Sequence, residues 1–154
     1  MDSTTSIPDA IAPSTLLFRA GGVLYGCDIT TALEIIPLRP TTRLPGAPAY
    51  VRGLINVRGV IVTVLDLGVR LDESRAPVRE GSILLVRHRE RLVGVAVDEV
   101  VDVRGLEMEP SRAGESGRGG PLGGGAIVAG VATVGDGTVI VLDLEVLVRQ
   151  VLLS

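Results

Sequence analysis

Apolar residues along the chain fall in short runs, often alternating with polar ones and broken by glycine, proline or clustered charge. Leu16 to Arg19 and Val23 to Asp28 flank Gly21-Gly22, which predicts strand, turn, strand. Thr31 to Ile36 reads as a short helical turn entering a strand. Arg39 to Pro48 carries Pro40, Pro45 and Pro48 and is expected to be a loop, because proline lacks the donor a central ladder needs. The runs Val51 to Val57 and Val60 to Leu67 meet at Arg58-Gly59, a hairpin signal. Asp72 to Gly81 is charged, contains Pro77 and reads as a linker. Ser82 to Arg87 and Leu92 to Val97 predict a further strand pair turning at residues 88–91. Asp98 to Val103 resembles the segment ending at Ile35. Ala126 to Val134 and Thr138 to Leu144 form a last hairpin around Gly135-Asp136-Gly137. Glu145 to Leu153 is expected to add a short C-terminal helix.

Two segments lack this patterning. Residues 1–14 are polar and contain proline, so a flexible tail is expected there. With Asp2 and no basic start, it does not read as a secretory leader. Residues 110–125, rich in Gly, Ser and Arg, are expected to be a mobile loop. Between them the folded domain is expected over residues 15–149.

The strands also repeat. Gly53 to Leu67 aligns without gaps on Gly130 to Leu144, with Val-Leu-Asp-Leu closing both segments at Asp66 and Asp143. Upstream, Leu24 to Ile29 aligns on Leu92 to Val97, and Leu33-Glu34-Ile35 on Val101-Asp102-Val103. The two halves therefore repeat in the same order, at a period too long for a solenoid. The expectation is an all-β fold of two small five-stranded β-barrels, SH3-like or OB-like, packed together with short helical turns. Such barrels bury their strand edges by closing.

Composition narrows the function. Of 154 residues 46% are hydrophobic but only 2% aromatic, so Val, Leu and Ile must build the core. With a net charge of −3 and few aromatics there is no nucleic-acid footprint. Every basic residue is Arg. The absence of Lys excludes Schiff-base chemistry and a standard Walker A loop. One cysteine, Cys27, excludes an intrachain disulfide, and no apolar run approaches the ~18 residues of a membrane span. A cytoplasmic protein without metal or cofactor is expected.

The candidate chemistry is thin. Asp66 and Asp143 can be read as paired carboxylates for acid–base work or metal binding. Their repetition at strand ends favours capping of a turn or of the next helix. His88 lies in a polar turn and Cys27 on a strand, where a solvated side chain and a small buried hydrophobe are the simpler readings. Gly117 to Gly125 lacks the strand, helix and Lys-Ser/Thr of a phosphate cradle. No catalytic residue is assigned. Glu34, inside an apolar stretch, and Arg58, at a hairpin tip, sit where apolar segments end. They are either solvated or paired across a groove.

Around these residues the chain resembles the CheW family of bacterial chemotaxis coupling proteins. The resemblance runs over about residues 15–149. It is carried by Leu33 to Ile36, Thr42 to Pro45, Pro48 to Leu67, within which Gly53 to Leu67 is the specific block, and, in support, Leu92 to Val100 and Val139 to Leu147. Thr63 stands where the family commonly has proline. The resemblance implies two packed five-stranded barrels, no enzyme activity, and two partners: the cytoplasmic tip of a chemoreceptor and the regulatory domain of the histidine kinase CheA. It implies a receptor-facing groove of Ala32, Glu34, Arg58, Val95 and Val97, with Glu34 and Arg58 as its charged pair, and a kinase-facing surface around Gly53. A paralogous chemosensory system, controlling pili, gliding or development, would carry the same pattern. A regulatory module of this fold acting in trans and a small β-barrel enzyme are the other readings.

Overall fold

The strand-turn-strand signals close as antiparallel hairpins. These are β1 (Ser14–Ala20) with β2 (Val23–Asp28), β4 (Val51–Val57) with β5 (Val60–Asp66), β6 (Ser82–His88) with β7 (Arg91–Val97), and β10 (Val128–Val134) with β11 (Gly137–Leu142). A 3-10 turn leads into β3 (Ala32–Pro37) as expected, but it lies at Ile29–Thr31, two residues earlier than the turn expected from Thr31. β8 spans Glu99–Gly105, β9 is the pair Glu109–Pro110, and two helices follow strands: α1 (Leu67–Leu71) and α2 (Leu144–Leu153). The computed structural model describes residues 14–107, 109–110, 127–135 and 137–153. The tail expected over 1–14, Ser14 apart, and the loop expected over 110–125, Pro110 apart, lie outside the described residues.

The strands form two sheets. One is five-stranded, in the order β3-β6-β7-β5-β4; the other is six-stranded, in the order β8-β1-β2-β11-β10-β9. Segments aligned in the repeat take equivalent places. β5 runs parallel to β7, pairing Leu65 with Val95, and β11 runs parallel to β2, pairing Ile140 with Tyr25. The halves, however, do not make one sheet each. The β6-β7 hairpin of the second half is inserted between β3 and β5 of the first. The β1-β2 hairpin of the first half is inserted between β8 and β11 of the second. Each sheet is thus shared between the halves.

Three apolar layers result. Inside the five-stranded sheet lie Ile36, Ile55, Val57, Val62, Val64, Ile83, Leu85 and Ala96, drawn from all five strands. Among the described residues only Leu38, just beyond β3, and Leu92 pack against this cluster from outside it, so the sheet wraps around it. Among the described residues no ladder joins edge strands β3 and β4, and the curl stays open in hydrogen bonding. Leu17, Ala132, Val139 and Val141 fill the other sheet. Between the sheets lies the largest layer, with Leu16, Phe18, Leu65, Leu84, Val95, Val97, Leu142, Leu144 and Leu147 among its members. Strands β6 and β7 are therefore buried on both faces, which is why they read as continuous apolar runs and not as alternation.

Candidate functional site

Arg58 owes its position to a tight turn. Val57 pairs with Val60, leaving Arg58-Gly59 as a two-residue loop. Both have positive φ, +50° and +90°, as a type I′ turn requires to match the twist of its strands. The Asn56 side-chain oxygen accepts from the Gly59 amide at 2.8 Å and holds the turn. Glycine adopts this backbone freely; arginine does so only against steric resistance.

Glu34 owes its position to a bulge. Ala32 pairs with Val86 and Glu34 with Leu85, so Leu33 is an extra residue on β3. A bulge of this kind re-aims neighbouring side chains. Arg58 then meets Glu34 as a fork: Nη1 donates to Oε2 at 3.2 Å, and Nη2 donates to Oε1 over a shorter distance. β3 and the β4-β5 hairpin lie on opposite sides of β6-β7, so the pair spans the open seam of the curled sheet. The Arg58 hydrogen bonds hold the Glu34 carboxyl below the usual carboxylate range, and Glu34 in turn raises Arg58. Both side chains are well exposed. A pair in this setting adds little to stability and much to orientation.

The apolar surroundings differ from expectation at two positions. Leu33 and Ile35 flank Glu34 at 51% and 42% exposure, and Val60 and Ile61 beside Arg58 are also exposed. Val95 and Val97, expected to line the groove, are fully buried at 0%. Both point into the layer between the sheets, because β7 is a central strand with no free face. Ala32 is half-buried and packs against that same layer.

The repeat gives this arrangement a counterpart that sequence reasoning did not assign to a site. On β8, Val101 is the bulged residue, between Val100 opposite Phe18 and Asp102 opposite Leu17. Val101 and Val103 are exposed like Leu33 and Ile35. The local ion pair there is Asp102 with Arg104, at 2.9 Å. The signal was available in the alignment of Leu33-Glu34-Ile35 on Val101-Asp102-Val103.

Gly53 follows another bulge, with Val51 opposite Leu65 and Gly53 opposite Val64. Its φ is +136°, and a Cβ there would lie 2.2 Å from the Thr42 carbonyl oxygen. That close approach lets Thr42 and Leu54 exchange backbone hydrogen bonds of 2.8 Å in both directions. Gly53 is buried and shapes the proline loop above it.

The remaining candidate residues are structural. The buried Asp66 caps α1 through the Val69 amide at 3.1 Å, accepts from the Val78 amide at 2.8 Å and pairs with Arg52 at 3.1 Å. Asp143 caps α2 through the Val146 amide at 3.1 Å. Both carboxylates therefore take the capping role the repeat favours. Cys27 is buried, and burial pushes its thiol up to about 11. His88 pairs with Arg91 at the end of β6. Among the described residues no group of three or more His, Cys, Asp or Glu side chains converges on a common point.

Two interleaved, curled sheets built from a repeated strand unit define a double-sheet β domain. The chain belongs to the CheW-like domain family, whose model matches residues 14–152. It is 33% identical over 105 residues to the chemotaxis protein CheW of Klebsiella aerogenes, a match covering 68% of this chain and 63% of that protein. It is 33% identical over 93 residues to the protein PilI of Pseudomonas aeruginosa, covering 60% of this chain and 52% of that one. The fold matches the crystal structure of the scaffolding protein TtCheW from Thermoanaerobacter tengcongensis with a TM-score of 0.75 and 26% identity, over 88% of this chain and 87% of that one. The match to the Klebsiella protein thus spans just under two thirds of that relative's length.

Proposed function

We propose that the chain is a non-enzymatic coupling protein that bridges the cytoplasmic tip of a chemoreceptor to the regulatory domain of the histidine kinase CheA. The observation that carries this reading is the forked Glu34–Arg58 pair, set among exposed Leu33, Ile35, Val60 and Ile61. An exposed ion pair contributes little to folding. A helical hairpin docking there would find apolar area to bury and two fixed charges to set its register. Ala32, Glu34 and Arg58 form the receptor-facing site, with Leu33 and Ile35 as its apolar contacts in place of Val95 and Val97. The kinase-facing surface lies over the proline loop that Gly53 shapes from beneath. The protein works in the cytoplasm, recruited to membrane receptor arrays; among the described residues no helix is long and apolar enough to cross a membrane.

The similarity to a PilI protein favours a second reading, in which the same bridging serves a paralogous system controlling pili, gliding or development. The test is binding of a receptor cytoplasmic fragment and of the kinase regulatory domain to wild type, Glu34→Ala and Arg58→Ala. Both variants are expected to lose receptor binding and keep kinase binding. Receptor binding equal to wild type in both would remove the site assignment. Pull-down from the source cell separates the two pathways by the receptors and kinase recovered.

A further inference from the structure

The β6-β7 hairpin carries a second strained arginine. His88 pairs with Arg91, so Arg89-Glu90 is the loop, and Arg89 has a φ of +58°. Arg58 and Arg89 are the non-glycine residues with positive φ among the described residues. A bulky residue kept in a conformation that glycine would adopt freely points to a need for its side chain. At Arg58 that need is the pair with Glu34. At Arg89 no such partner is found among the described residues.

Arg89 lies where two grooves meet. One, of about 600 Å³, is formed with His88, Arg91, Arg149 and Leu152, between the hairpin and the end of α2. The other, of about 450 Å³, runs past Thr30, Thr31 and Arg87 to Leu33 on β3. Arg87, Arg89, Arg91 and Arg149 are all exposed, and none of them makes an ion pair with a described residue. Arg19, Arg52, Arg75 and Arg104 are matched with Glu99, Asp66, Asp72 and Asp102; Arg39, Arg43, Arg70 and Arg79 have no carboxylate partner among the described residues, but none of them lines either groove. In a chain of net charge −3, these four arginines, gathered around two grooves that share Arg89, outnumber Glu90 and Glu145 there and form a local positive site.

We propose that this hairpin–helix groove is a docking surface for an acidic, partly apolar protein segment, adjoining the Glu34–Arg58 site at Leu33 but built on different charged residues. Arg binds carboxylates bidentately, which suits glutamate and aspartate side chains. Leu33 at one end and Leu152 at the other supply apolar contacts. Glu90 and Glu145 stand among the arginines and would repel the uniform phosphate rail of a nucleic acid, whereas a peptide of mixed composition places its carboxylates between them. The inference rests on the adaptor reading only in taking the occupant to be protein. Its test needs neither receptor nor kinase and can fail while their binding stands.

The probe is a fluorescein-labelled peptide of alternating glutamate and leucine, titrated with the full chain at low salt and read by anisotropy. A glutamine–leucine peptide serves as control. The glutamate peptide should bind about tenfold tighter than the control, with added salt removing the difference. Arg89→Gly combined with Arg149→Ala should remove about tenfold in affinity. Arg89→Gly deletes the guanidinium at a position where glycine relaxes the backbone, so folding is preserved. Arg58→Ala should leave peptide binding unchanged. Equal affinity for the two peptides, or a double variant that binds like wild type, overturns the proposal. So does equal loss in Arg58→Ala, which would place the peptide at the other site. Arginine-dependent binding to phosphatidylserine vesicles without peptide binding would assign the patch to a membrane surface instead.

Discussion

Arg58 combines an expensive backbone with an exposed, forked partner, and the two features can be separated by substitution. Arg58→Gly should fold as well as wild type or slightly better, because glycine relieves the positive φ. It should nevertheless lose receptor-fragment binding as fully as is expected of Arg58→Ala. Thermal melts beside binding isotherms make the comparison; a glycine variant that melts well below wild type would show that the pair holds the seam together. The exchange Glu34→Arg with Arg58→Glu should recover part of the binding, since the two side chains contact each other. Cys27 gives a second prediction at this scale. Its thiol is raised from 9.0 to about 11 by burial, so the folded state holds its proton where the unfolded state has released it. Stability from this group is complete below pH 9 and is lost as pH rises through about 11. Cys27→Ala should flatten the fall in denaturation midpoint over that range. A thiol reagent at neutral pH should label Cys27 only as the protein unfolds.

Asp66 and Asp143 occupy the same place in the repeat, yet they should not be equivalent as elements. Asp143 caps α2 and is matched by the ordinary loss of a cap, about 1 kcal/mol in Asp143→Ala. Asp66 is buried and also receives Arg52 and the Val78 amide, fastening the linker to the end of β5. Asp66→Ala leaves a guanidinium without its carboxylate and should cost about 3–5 kcal/mol. Urea denaturation of both variants tests this, and equal costs would mean that the linker is held by other contacts. Gly53→Ala should also destabilise, since its Cβ would overlap the Thr42 carbonyl. These elements were legible in sequence because alternation and turn residues act locally: the hairpins, the 3-10 turn and the capping aspartates all follow from neighbours along the chain. Val95 and Val97 were misplaced because a run buried on both faces carries no period that says which side meets solvent. The contact of Glu34 with Arg58 was only suggested, because β3 and β4, consecutive in the chain, stand at opposite edges of the sheet and come together only through its curl.

The arrangement of the whole molecule was the least legible feature, since a repeated pattern predicts two similar units without saying which strands they share. The structure places every ladder between the halves at a junction of inserted hairpins: β3 with β6, β5 with β7, β1 with β8 and β2 with β11. Leu65 and Leu142, equivalent in the repeat, accordingly lie together in the layer between the sheets and not one inside each curl. Truncating either to Ala should cost about 2–5 kcal/mol. The larger consequence concerns cooperativity. A break in the linker at residue 76 would leave the first half with β3, β4 and β5 but without the hairpin that joins β3 to β5. The second half would hold β8 to β11 without the hairpin that joins β8 to β11. Neither half retains a continuous sheet or covers its share of the central layer, and buried backbone donors would lose their acceptors. Fragments 14–76 and 77–153 should each be unfolded alone and should regain the strand circular dichroism signal on mixing. The intact chain should unfold in one transition, with far-ultraviolet signal and Cys27 labelling changing together. A folded isolated fragment, or two separated transitions, would mean that each half can re-form a sheet from its own strands, with β3 returning to β1 and β8 to β6.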